Sequence, residues 1–477
     1  MVARATPCRP ALAVRNGDVE CRATPFALEV PDTSRYYLIS LTSGMRPRAS
    51  YDVAIVGGGP AGSAAASILA RRGHQVIVLE RERFPRFHIG ESQLPWINDI
   101  LAKIGAEEAV AAQGFVQKWG ASFTTADGEA DQYADFTQAY EVPRPQTYQV
   151  PRATFDRVLL EHAATCGARV LQGRVTKHAA FDEDGVTVTH TGADGSEESV
   201  RVAAVIDASG RAGFLAKQFG RRRQDPLLRN ISVHSQYTGI PRHEGKRAGD
   251  IRLVTRPDRG WFWFIPITDT VMSVGAVVPQ AVYNASAKPT PEATLACFLA
   301  ETPAAARLVA NATPITPARF EADYSYLHSR HAGDRFVLAG DAGSFLDPIF
   351  STGVLLAMQS GIEAAEAISE GLRDGDLRAR RFAAFERRLV RRYHYFRRFA
   401  TGFYDPAFRD LFFSRSSRFG LYESVLSVLG GNWRPTLATR LRIEAFFVLV
   451  AFQRLKRRLN AGSLMPPHDA AGRVEKA

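Results

Sequence analysis

The sequence predicts an α/β protein that contains a second, antiparallel sheet and a helical C-terminal region. Three observations support this fold class. An apolar run, a glycine cluster and an Ala-rich stretch follow one another from residue 51, in the order of a β-α-β unit. Residues 229–280 contain alternating strand patterns. Apolar residues recur at helical spacing in the last ~100 residues of the chain.

The composition is that of a globular protein and excludes several other classes. The 477 residues are 45% hydrophobic and 23% charged, which allows two or three domains and rules out a disordered, collagen-like or disulfide-framework chain. No apolar run approaches the ~18 residues that span a bilayer, so a membrane is not an expected partner. The net charge of +11 favours an anionic partner, but no nucleic-acid-binding motif appears, so nucleic acid is not expected either.

The four cysteines are Cys8, Cys21, Cys166 and Cys297. No pair of them has metal-ligand or redox spacing. We therefore expect reduced thiols, a cytoplasmic location and no metal site.

Residues 1–49 differ from the rest of the chain. They contain seven Arg, four acidic residues and no Lys, and they show no periodicity. Because Met45 stands just before the first strong strand, we predict a disordered extension or a start codon assigned too early. A transit peptide is the alternative, and the four acidic residues argue against it.

The first core element is the apolar run Tyr51–Val56, which has the length of a buried strand. A helix follows, and a second strand is expected over residues 75–80. The turn before the helix matches G-x-G-x-x-G. In this pattern Gly57 allows a tight turn, Gly59 lets the backbone approach a pyrophosphate, and Gly62 lets helix and strand pack closely. A carboxylate that ends the second strand can hold ribose hydroxyls. The predicted dinucleotide site consists of Gly57, Gly59, Pro60, Ala61, Gly62 and Glu80.

The remaining elements of the α/β part follow in order. The patterns predict a helix over about 152–166, strands at 168–171, 185–190, 199–203 and 336–339, and a helix from Gly353.

Two further segments indicate which dinucleotide is bound. Val205–Arg211 and Gly333–Gly343 resemble the second and third flavin contacts of the p-hydroxybenzoate-hydroxylase-like FAD family. The segment that begins at Arg152 resembles the family's helix start, at which an Arg faces the FAD. The resemblance extends from about residue 50 to about residue 370, and it implies that FAD is the cofactor. It also implies that Asp341 meets the ribityl or phosphate groups of the FAD.

The predicted strand Trp261–Pro266 distinguishes this chain from the hydroxylases of that family. Its sequence matches W-x-W-x-I-P, the signature of flavin-dependent halogenases. On a strand, Trp261, Trp263 and Ile265 share one face. The resemblance implies that these side chains, with Pro266, separate the flavin from the organic substrate while halide and hypohalous acid still pass.

A second halogenase pattern lies at Phe345–Gly353, which is similar to F-x-x-P-x-x-S-x-G. The following helix offers unpaired backbone N–H groups at its start, and such groups bind anions. In the family the halide sits beside the flavin at the Thr-Gly pair, so the resemblance assigns the halide to Thr352 and Gly353 and places Gly353 next to the cofactor.

A third segment, Phe115–Phe123, resembles the part of the halogenases that carries the active-site lysine. The resemblance therefore assigns that role to Lys118. Free hypohalous acid is indiscriminate, and a lysine can position it near one carbon, either by hydrogen bonding or as a chloramine. Lys is suited to this role because its pKa shifts more readily on burial than that of Arg.

The resemblance also bears on the substrate. Tryptophan-type halogenases carry a Glu directly before Ser-Thr-Gly, whereas this chain has Phe350 there, as in the phenol- and pyrrole-halogenase branch. Phenols and pyrroles are more activated than the benzo carbons of indole, so free tryptophan is not the expected substrate. A phenol or a pyrrole, free or tethered to a carrier protein, remains open, as does the choice between chloride and bromide.

The function implied by the resemblance is halogenation with reduced FAD, O2 and halide, through hypohalous acid directed by Lys118. The reduced FAD would come from a separate flavin reductase. One alternative is an FAD-dependent hydroxylase, monooxygenase or reductase of the same fold. A non-catalytic flavoprotein or carrier-binding module is the second.

The expected organisation has three parts, of which the extension over residues 1–49 is the first. Residues 50–375 form the FAD-binding and halogenase core, in which the discontinuous FAD domain takes about 50–215 and 320–375, and the substrate-side sheet lies within about 110–150 and 220–320. Residues 376–477 form the helical C-terminal region. Nine Arg and one acidic residue lie between Arg378 and Arg398, which indicates a solvated helix face, a docking surface for an acidic carrier protein, or adsorption to a membrane surface.

Overall fold

The computed structural model describes residues 51–286, 288–322, 325–414 and 418–463. The chain divides into two units, Met1–Pro47 and Arg48–Ala477, and the described residues all belong to the second. The predicted extension over residues 1–49 therefore lies outside the described residues.

The strands are β1 (Tyr51–Val56), β2 (Val76–Glu80), β3 (Val116–Lys118), β4 (Gly120–Thr124), β5 (Asp131–Asp135), β6 (Thr147–Gln149), β7 (Arg169–Gln172), β8 (Thr176–Phe181), β9 (Val186–Thr191), β10 (Glu197–Asp207), β11 (Arg222–Gln224), β12 (Asn230–Thr238), β13 (Ile251–Thr255), β14 (Trp261–Pro266), β15 (Val271–Pro279), β16 (Thr313–Pro314), β17 (Arg319–Glu321), β18 (Tyr326–His328), β19 (Ala332–Gly333), β20 (Phe336–Leu338) and β21 (Ser344–Phe345).

The helices are α1 (Pro60–Arg71), α2 (Ile97–Ile104), α3 (Glu107–Ala111), α4 (Arg152–Thr165), α5 (Ala216–Phe219), α6 (Gln280–Ser286), α7 (Pro291–Ala300), α8 (Pro303–Val309), α9 (Gly353–Asp374), α10 (Ala383–Phe403), α11 (Pro406–Phe413), α12 (Leu421–Leu429) and α13 (Leu437–Ser463).

The first sheet has the order β19-β20-β10-β1-β2-β7, and β20, β10, β1, β2 and β7 run parallel. Its central strand is apolar on both faces because both faces are covered. Val53 and Ile55 pack into one core, and Ala54 and Val56 pack into another. The predicted α/β fold class and its β-α-β opening are confirmed.

The second sheet has the order β16-β12-β15-β14-β13-β4-β5. Its strands over residues 230–279 pair antiparallel, as the alternating pattern predicts. On β14, Trp261 and Trp263 face the core that contains α1 and α9, whereas Phe262 and Phe264 face a separate core. The period-2 assignment of this strand is therefore confirmed.

The C-terminal region is helical, as predicted, and α12 ends where Gly430 follows it. Seven of its nine clustered arginines have a carboxylate within 4.0 Å. Arg392 is buried and paired with Glu363. Only Arg387 and Arg391 have no such partner within the described ranges. Four of the paired arginines lie on α10 and join it to other parts of the chain: Arg388, Arg392, Arg397 and Arg398.

Two of the four cysteines lie within the described residues. Cys166 and Cys297 are free thiols, and the other two cysteines lie outside the described residues. Among the described residues, no group of His, Cys, Asp and Glu side chains is placed to hold a metal ion. In the same part of the chain, no helix has the length and apolarity to cross a membrane.

Candidate active site

Four loops meet at the carboxyl edge of the parallel sheet, where α/β proteins bind their ligands. They follow β1, β2, β10 and β20, which are neighbours in the sheet. We call this region the nucleotide edge; it consists of Gly57–Gly62, Glu80, Asp207 and Gly340–Asp341. Two glycines are required by close packing. Gly57 has a φ of +103°, and a Cβ at Gly62 would lie 1.9 Å from the carbonyl oxygen of Gly57.

The start of α1 leaves room for a phosphate group. Gly59 is the N-cap residue, with Pro60 as the first helical residue. A Cβ at Gly59 would meet only Arg86 Nη2, at 3.6 Å. The buried Glu80 carboxylate accepts a hydrogen bond from Gly58 N–H at 2.6 Å, which ties the glycine turn to the end of β2. An open helix N-terminus framed by glycines fits the pyrophosphate of FAD.

Arg152 begins α4 and is fixed by a buried ion pair. Its Nε and Nη2 donate to the two carboxylate oxygens of Asp156, at 2.8 and 2.9 Å. Its Nη1 donates to the carbonyl oxygen of Ile89 at 2.5 Å. Burial raises the pKa of the Asp341 carboxyl to about 6, and the nearby Arg152 charge opposes that rise. Arg152 thus joins the start of α4 to the 84–92 segment beside the nucleotide edge.

The turn from Asp347 to Gly353, which we call the Ser-Thr-Gly turn, precedes α9. Asp347 Oδ1 accepts a hydrogen bond from Ile349 N–H at 3.1 Å, and Ser351 has a φ of +56°. Thr352 is buried, and its Oγ1 has no hydrogen-bond partner among the described residues. A Cβ at Gly353 would meet no atom within 4 Å. The turn therefore offers open space and a spare hydroxyl at the N-terminus of a 22-residue helix.

The two tryptophans of β14 are each held by one hydrogen bond. Trp263 Nε1 donates to Ser273 Oγ at 3.1 Å, and Trp261 Nε1 donates to Tyr404 Oη at 2.8 Å. Their ring centroids lie 6.0 Å apart. Gly275 lies opposite Trp263 on β15, and a Cβ there would lie 2.2 Å from the indole. The indole pair is therefore rigid and closely packed.

Tyr404 connects this strand to the Ser-Thr-Gly turn. Its hydroxyl donates to the Asp347 carboxylate, whose oxygens lie 3.1 and 3.0 Å away. Asn230 Nδ2 donates to Asp347 Oδ2 at 2.8 Å and to Tyr404 Oη at 3.0 Å. Burial raises the pKa of the Asp347 carboxyl to about 6. Through this buried network the end of α10 fixes the turn relative to Trp261.

Lys118 ends β3 and is fully buried. Its Nζ donates to Ser92 Oγ and to the Gln93 carbonyl oxygen, both at 2.8 Å. The Phe136 ring centroid lies 5.3 Å from Nζ. No carboxylate within the described residues lies at salt-bridge distance. Burial therefore lowers the pKa of the Lys118 ammonium to about 7, although the charge of Asp250 acts in the opposite direction. Near neutral pH this lysine can donate a hydrogen bond or act as a free amine.

Side-chain packing links the three regions. Trp119 is the one residue between β3 and β4, and β4 belongs to the sheet that carries β14, with β13 between them. Phe403 packs against Phe350 of the Ser-Thr-Gly turn and against Phe123 of β4, with ring centroids 5.7 Å and 6.0 Å apart. The 84–92 segment reaches α9, because a Cβ at Gly90 would lie 3.8 Å from Val354.

The sequence interpretation missed several residues that the structure brings to this site. Ser92 and Gln93 hold Lys118, and Tyr404 and Asn230 hold the Ser-Thr-Gly turn. Ser92 lies 26 residues before Lys118, and no local pattern links the two. Tyr404 lies 143 residues after Trp261, and no local pattern links them.

Comparisons with known proteins agree with this arrangement. Residues 50–390 match the family model of the FAD binding domain. The chain is 35% identical to a 1H-pyrrole-2-carbonyl peptidyl-carrier-protein chlorinase of Pseudomonas fluorescens, over 70% of this chain and 79% of the relative. It is also 35% identical to a flavin-dependent halogenase of Armillaria mellea, over 68% of each chain.

A solved structure shows the same fold. The myxobacterial chondrochloren halogenase CndH, a variant of the FAD-dependent halogenases, superposes with a TM-score of 0.71 at 34% identity. The match covers 74% of this chain and 82% of CndH. The chain therefore belongs to the flavin-dependent halogenases and is an FAD-dependent oxidoreductase that uses O2 and halide.

Proposed function

We propose that this halogenase acts on an electron-rich aromatic ring, a phenol or a pyrrole, and that Lys118 directs the halogen to one ring carbon. The observation that carries the proposal is the state of Lys118. It is buried without a counter-ion in the described part of the chain, and its pKa is lowered to about 7. A lysine that only stabilised the fold would be expected at the surface or paired with a carboxylate.

The residues of the nucleotide edge fit the cofactor. Gly59 leaves the start of α1 open to the pyrophosphate, whereas Gly57 and Gly62 allow the turn to pack closely. Glu80 and Arg152 are proposed to line the rest of the site. Reduced FAD, when bound, supplies with O2 the oxidising equivalent that converts halide to hypohalous acid. The N–H groups at Thr352 and Gly353 would hold the halide, because an unpaired helix start favours a small anion.

The tryptophan strand is proposed to keep the organic substrate away from the flavin. Trp261, Trp263 and Ile265 lie on one buried face with Pro266 at the strand end. Oxygen transfer from flavin to ring requires direct approach, and two rigid indoles prevent it. Lys118 would then hydrogen-bond the small electrophile and hold it beside the ring. When two reactants are held close together in the right orientation, the reaction no longer depends on a bimolecular encounter.

Two observations favour a phenol or a pyrrole. Phe350 occupies the position before Ser-Thr-Gly and is buried, so no carboxylate there can polarise a poorly activated ring. The Pseudomonas fluorescens relative acts, by its name, on a pyrrole carried by a peptidyl-carrier protein. A substrate tethered to an acidic carrier is therefore one form of the proposal. In the described part of α10, Arg387 and Arg391 are the clustered arginines left to meet such a carrier.

A separate flavin reductase is proposed to deliver the reduced FAD, as the resemblance to the flavin-dependent halogenases implies. The test combines the protein with a flavin reductase, NADH, FAD and chloride or bromide. Products from a panel of phenols and pyrroles are read by mass spectrometry for halogen isotope patterns. Halogenated product that requires the reductase supports the proposal.

The same assay separates the alternatives. NADPH oxidation by the protein alone, with a hydroxylated product, would assign it to the hydroxylases of the same fold. Binding of FAD without product from any ring would favour a non-catalytic flavoprotein.

A further inference from the structure

Three short segments form a small antiparallel arrangement around Lys118. β6 pairs with β3, so that Thr147 lies opposite Lys118 and Gln149 lies opposite Val116. On its other side, β6 is hydrogen-bonded to residues 91–93, and Ser92 forms an isolated antiparallel β-bridge with Gln149. Gln93 N–H donates to the Tyr148 carbonyl oxygen at 3.0 Å, and Val150 N–H donates to the Glu91 carbonyl oxygen. β6 is therefore the middle strand of the three.

This register determines what lies beneath the lysine side chain. Directly opposed residues of paired strands share a face, so Lys118, Thr147, Gln149 and Ser92 all lie on one face. Neighbouring strands are about 4.8 Å apart. Because Lys118 starts on one outer strand and its Nζ reaches Ser92 on the other, its side chain crosses β6. Thr147 and Gln149 are the β6 residues on that face.

Both of these residues present a buried acceptor without a partner. Gln149 Nε2 donates to the Gly249 carbonyl oxygen at 3.0 Å. A carbonyl can only accept, so this bond fixes the orientation of the amide and leaves Oε1 as the free end. Gln149 Oε1 and Thr147 Oγ1 have no hydrogen-bond partner among the described residues, and both side chains are 0% exposed.

Unpaired buried acceptors are expensive, at about 1–3 kcal/mol each, and native proteins retain few of them. Two such acceptors beside one buried lysine indicate a place where a guest supplies the missing donors. Lys118 already donates two of its three ammonium hydrogens, to Ser92 and Gln93. The guest therefore meets acceptors on Thr147 and Gln149, and donors on Lys118 and on the Thr147 hydroxyl.

We infer that Gln149 Oε1 and Thr147 Oγ1 form an acceptor subsite that binds the ring N–H of a pyrrole or the O–H of a phenol beside Lys118. The inference rests on the proposed function, because it names the group by which the aromatic substrate is recognised. A ring held by its own donor presents a fixed carbon to the electrophile at Lys118, so the subsite sets regioselectivity. It also discriminates against rings whose donor is methylated, since these leave the acceptors unpaired.

The test compares matched pairs of probes, pyrrole with N-methylpyrrole and phenol with anisole. In each pair we measure the ratio of kcat/KM in the reductase-coupled assay and the ratio of Kd for the oxidised holoenzyme by calorimetry. For the wild type, we expect the kcat/KM ratio of donor-bearing to methylated probe to exceed, by about tenfold or more, the ratio of rates with free hypohalous acid in solution. We expect the donor-bearing probe to bind more tightly as well. In Gln149→Met this preference falls about tenfold, and regioselectivity falls with it.

Gln132→Met is the matched control. Gln132 is also a buried glutamine, and neither end of its amide has a partner among the described residues, but it lies on β5 opposite Phe123. This variant should keep the wild-type ratios. Where Gln149→Met does not retain FAD, Thr147→Val removes only the hydroxyl and should lower the preference for the donor-bearing probe.

The outcomes separate the two claims. Unchanged ratios in folded Gln149→Met and Thr147→Val would overturn the subsite, and would mean that internal water satisfies the acceptors. Equal Kd values for phenol and anisole in the wild type would overturn it as well. A preference in Kd without halogenated product from any probe would support the subsite and contradict the proposed reaction.

Discussion

Glycine and empty space dominate the nucleotide edge, whereas the surroundings of Lys118 are closely packed and rich in polar side chains. At the nucleotide edge, a Cβ on Gly59 or on Gly353 of the neighbouring turn would meet no atom closer than 3.6 Å. Around Lys118, Thr147 and Gln149 are completely buried, and two of their acceptors are unpaired. The first region keeps room for a large cofactor. The second holds a charged group out of water and recognises small guests by hydrogen bonds.

The difference teaches how a lysine can direct a reactive species without quenching it. A carboxylate beside Lys118 would hold its ammonium fully charged and occupied. Instead a hydroxyl and a backbone carbonyl hold it, at 2.8 Å each, and burial brings its pKa to about 7. Beside the nucleotide edge, by contrast, Arg152 is held in a fixed orientation by a carboxylate, that of Asp156.

The largest effect is expected from Gly62→Ala. The new Cβ would lie 1.9 Å from the Gly57 carbonyl oxygen, which is far inside van der Waals contact and cannot be relieved by a side-chain rotation. We expect loss of FAD from the purified protein and a loss of several kcal/mol in unfolding free energy. Overpacking typically costs about 1–3 kcal/mol, and the cost is higher here because backbone atoms move aside less readily than side chains. The FAD absorbance ratio and a denaturant titration measure both. Retained FAD with unchanged stability would show that the glycine turn is not tightly packed.

Gly353→Ala is the contrasting substitution. Its Cβ would meet nothing within 4 Å, and Ala is a better helix residue than Gly, so the stability should be unchanged or slightly raised. We expect the KM for halide to rise about tenfold or more, because the methyl group takes the space offered to the anion. Unchanged halide kinetics in this variant would remove the halide from the Thr352-Gly353 pair.

Tyr404→Phe should have a smaller effect that is directed to the same turn. The change removes the acceptor of Trp261 Nε1 and a donor to Asp347, so stability should fall by about 1–3 kcal/mol. The KM for halide should rise more than the KM for the aromatic ring. Tyr395→Phe on the same helix is the control, because the Tyr395 hydroxyl is buried without a partner in the described residues. If Tyr404→Phe and Tyr395→Phe changed stability and the KM for halide equally, Tyr404 would not position the Ser-Thr-Gly turn.

Lys118 should also make the free energy of unfolding depend on pH. The folded-state pKa of Lys118, about 7, lies below the unfolded value of 10.5. Between these pH values the unfolded chain binds one more proton than the folded chain. Burial of Lys118 therefore destabilises the fold most below pH 7, and this destabilisation decreases as the pH rises. Relative to Lys118→Met, the wild type should gain about 1.4 kcal/mol per pH unit between pH 7 and pH 9.5. Chemical denaturation of both proteins across this range measures the slope, and a flat difference would place the Lys118 pKa near its ordinary value.

The two regions also differ in how well the sequence predicts them. The nucleotide edge was predictable because its central motif is contiguous: one strand, one glycine turn and one helix lie within residues 51–71. The face of β14 was predictable for the same reason, since strand periodicity places Trp261, Trp263 and Ile265 together.

The surroundings of Lys118 were not predictable to the same degree. Its partners Ser92 and Gln93 lie 26 and 25 residues away, and the middle strand β6 has three residues, too few for a periodic signal. The ion pairs of the basic cluster were not predictable from the sequence either. Its charge is conspicuous in sequence, but Arg392, Arg397 and Arg398 pair with acidic residues that are distant in the chain.

The central claim is that Lys118 acts after hypohalous acid has formed and away from the flavin. The most direct test measures FAD content, O2 consumption by reduced flavin and halogenated product in the same samples of wild type, Lys118→Ala and Lys118→Arg. The account predicts that both variants bind FAD and consume O2 within about twofold of the wild type, while product falls by about 100-fold or more. Regioselective product at near wild-type yield in either variant would contradict it.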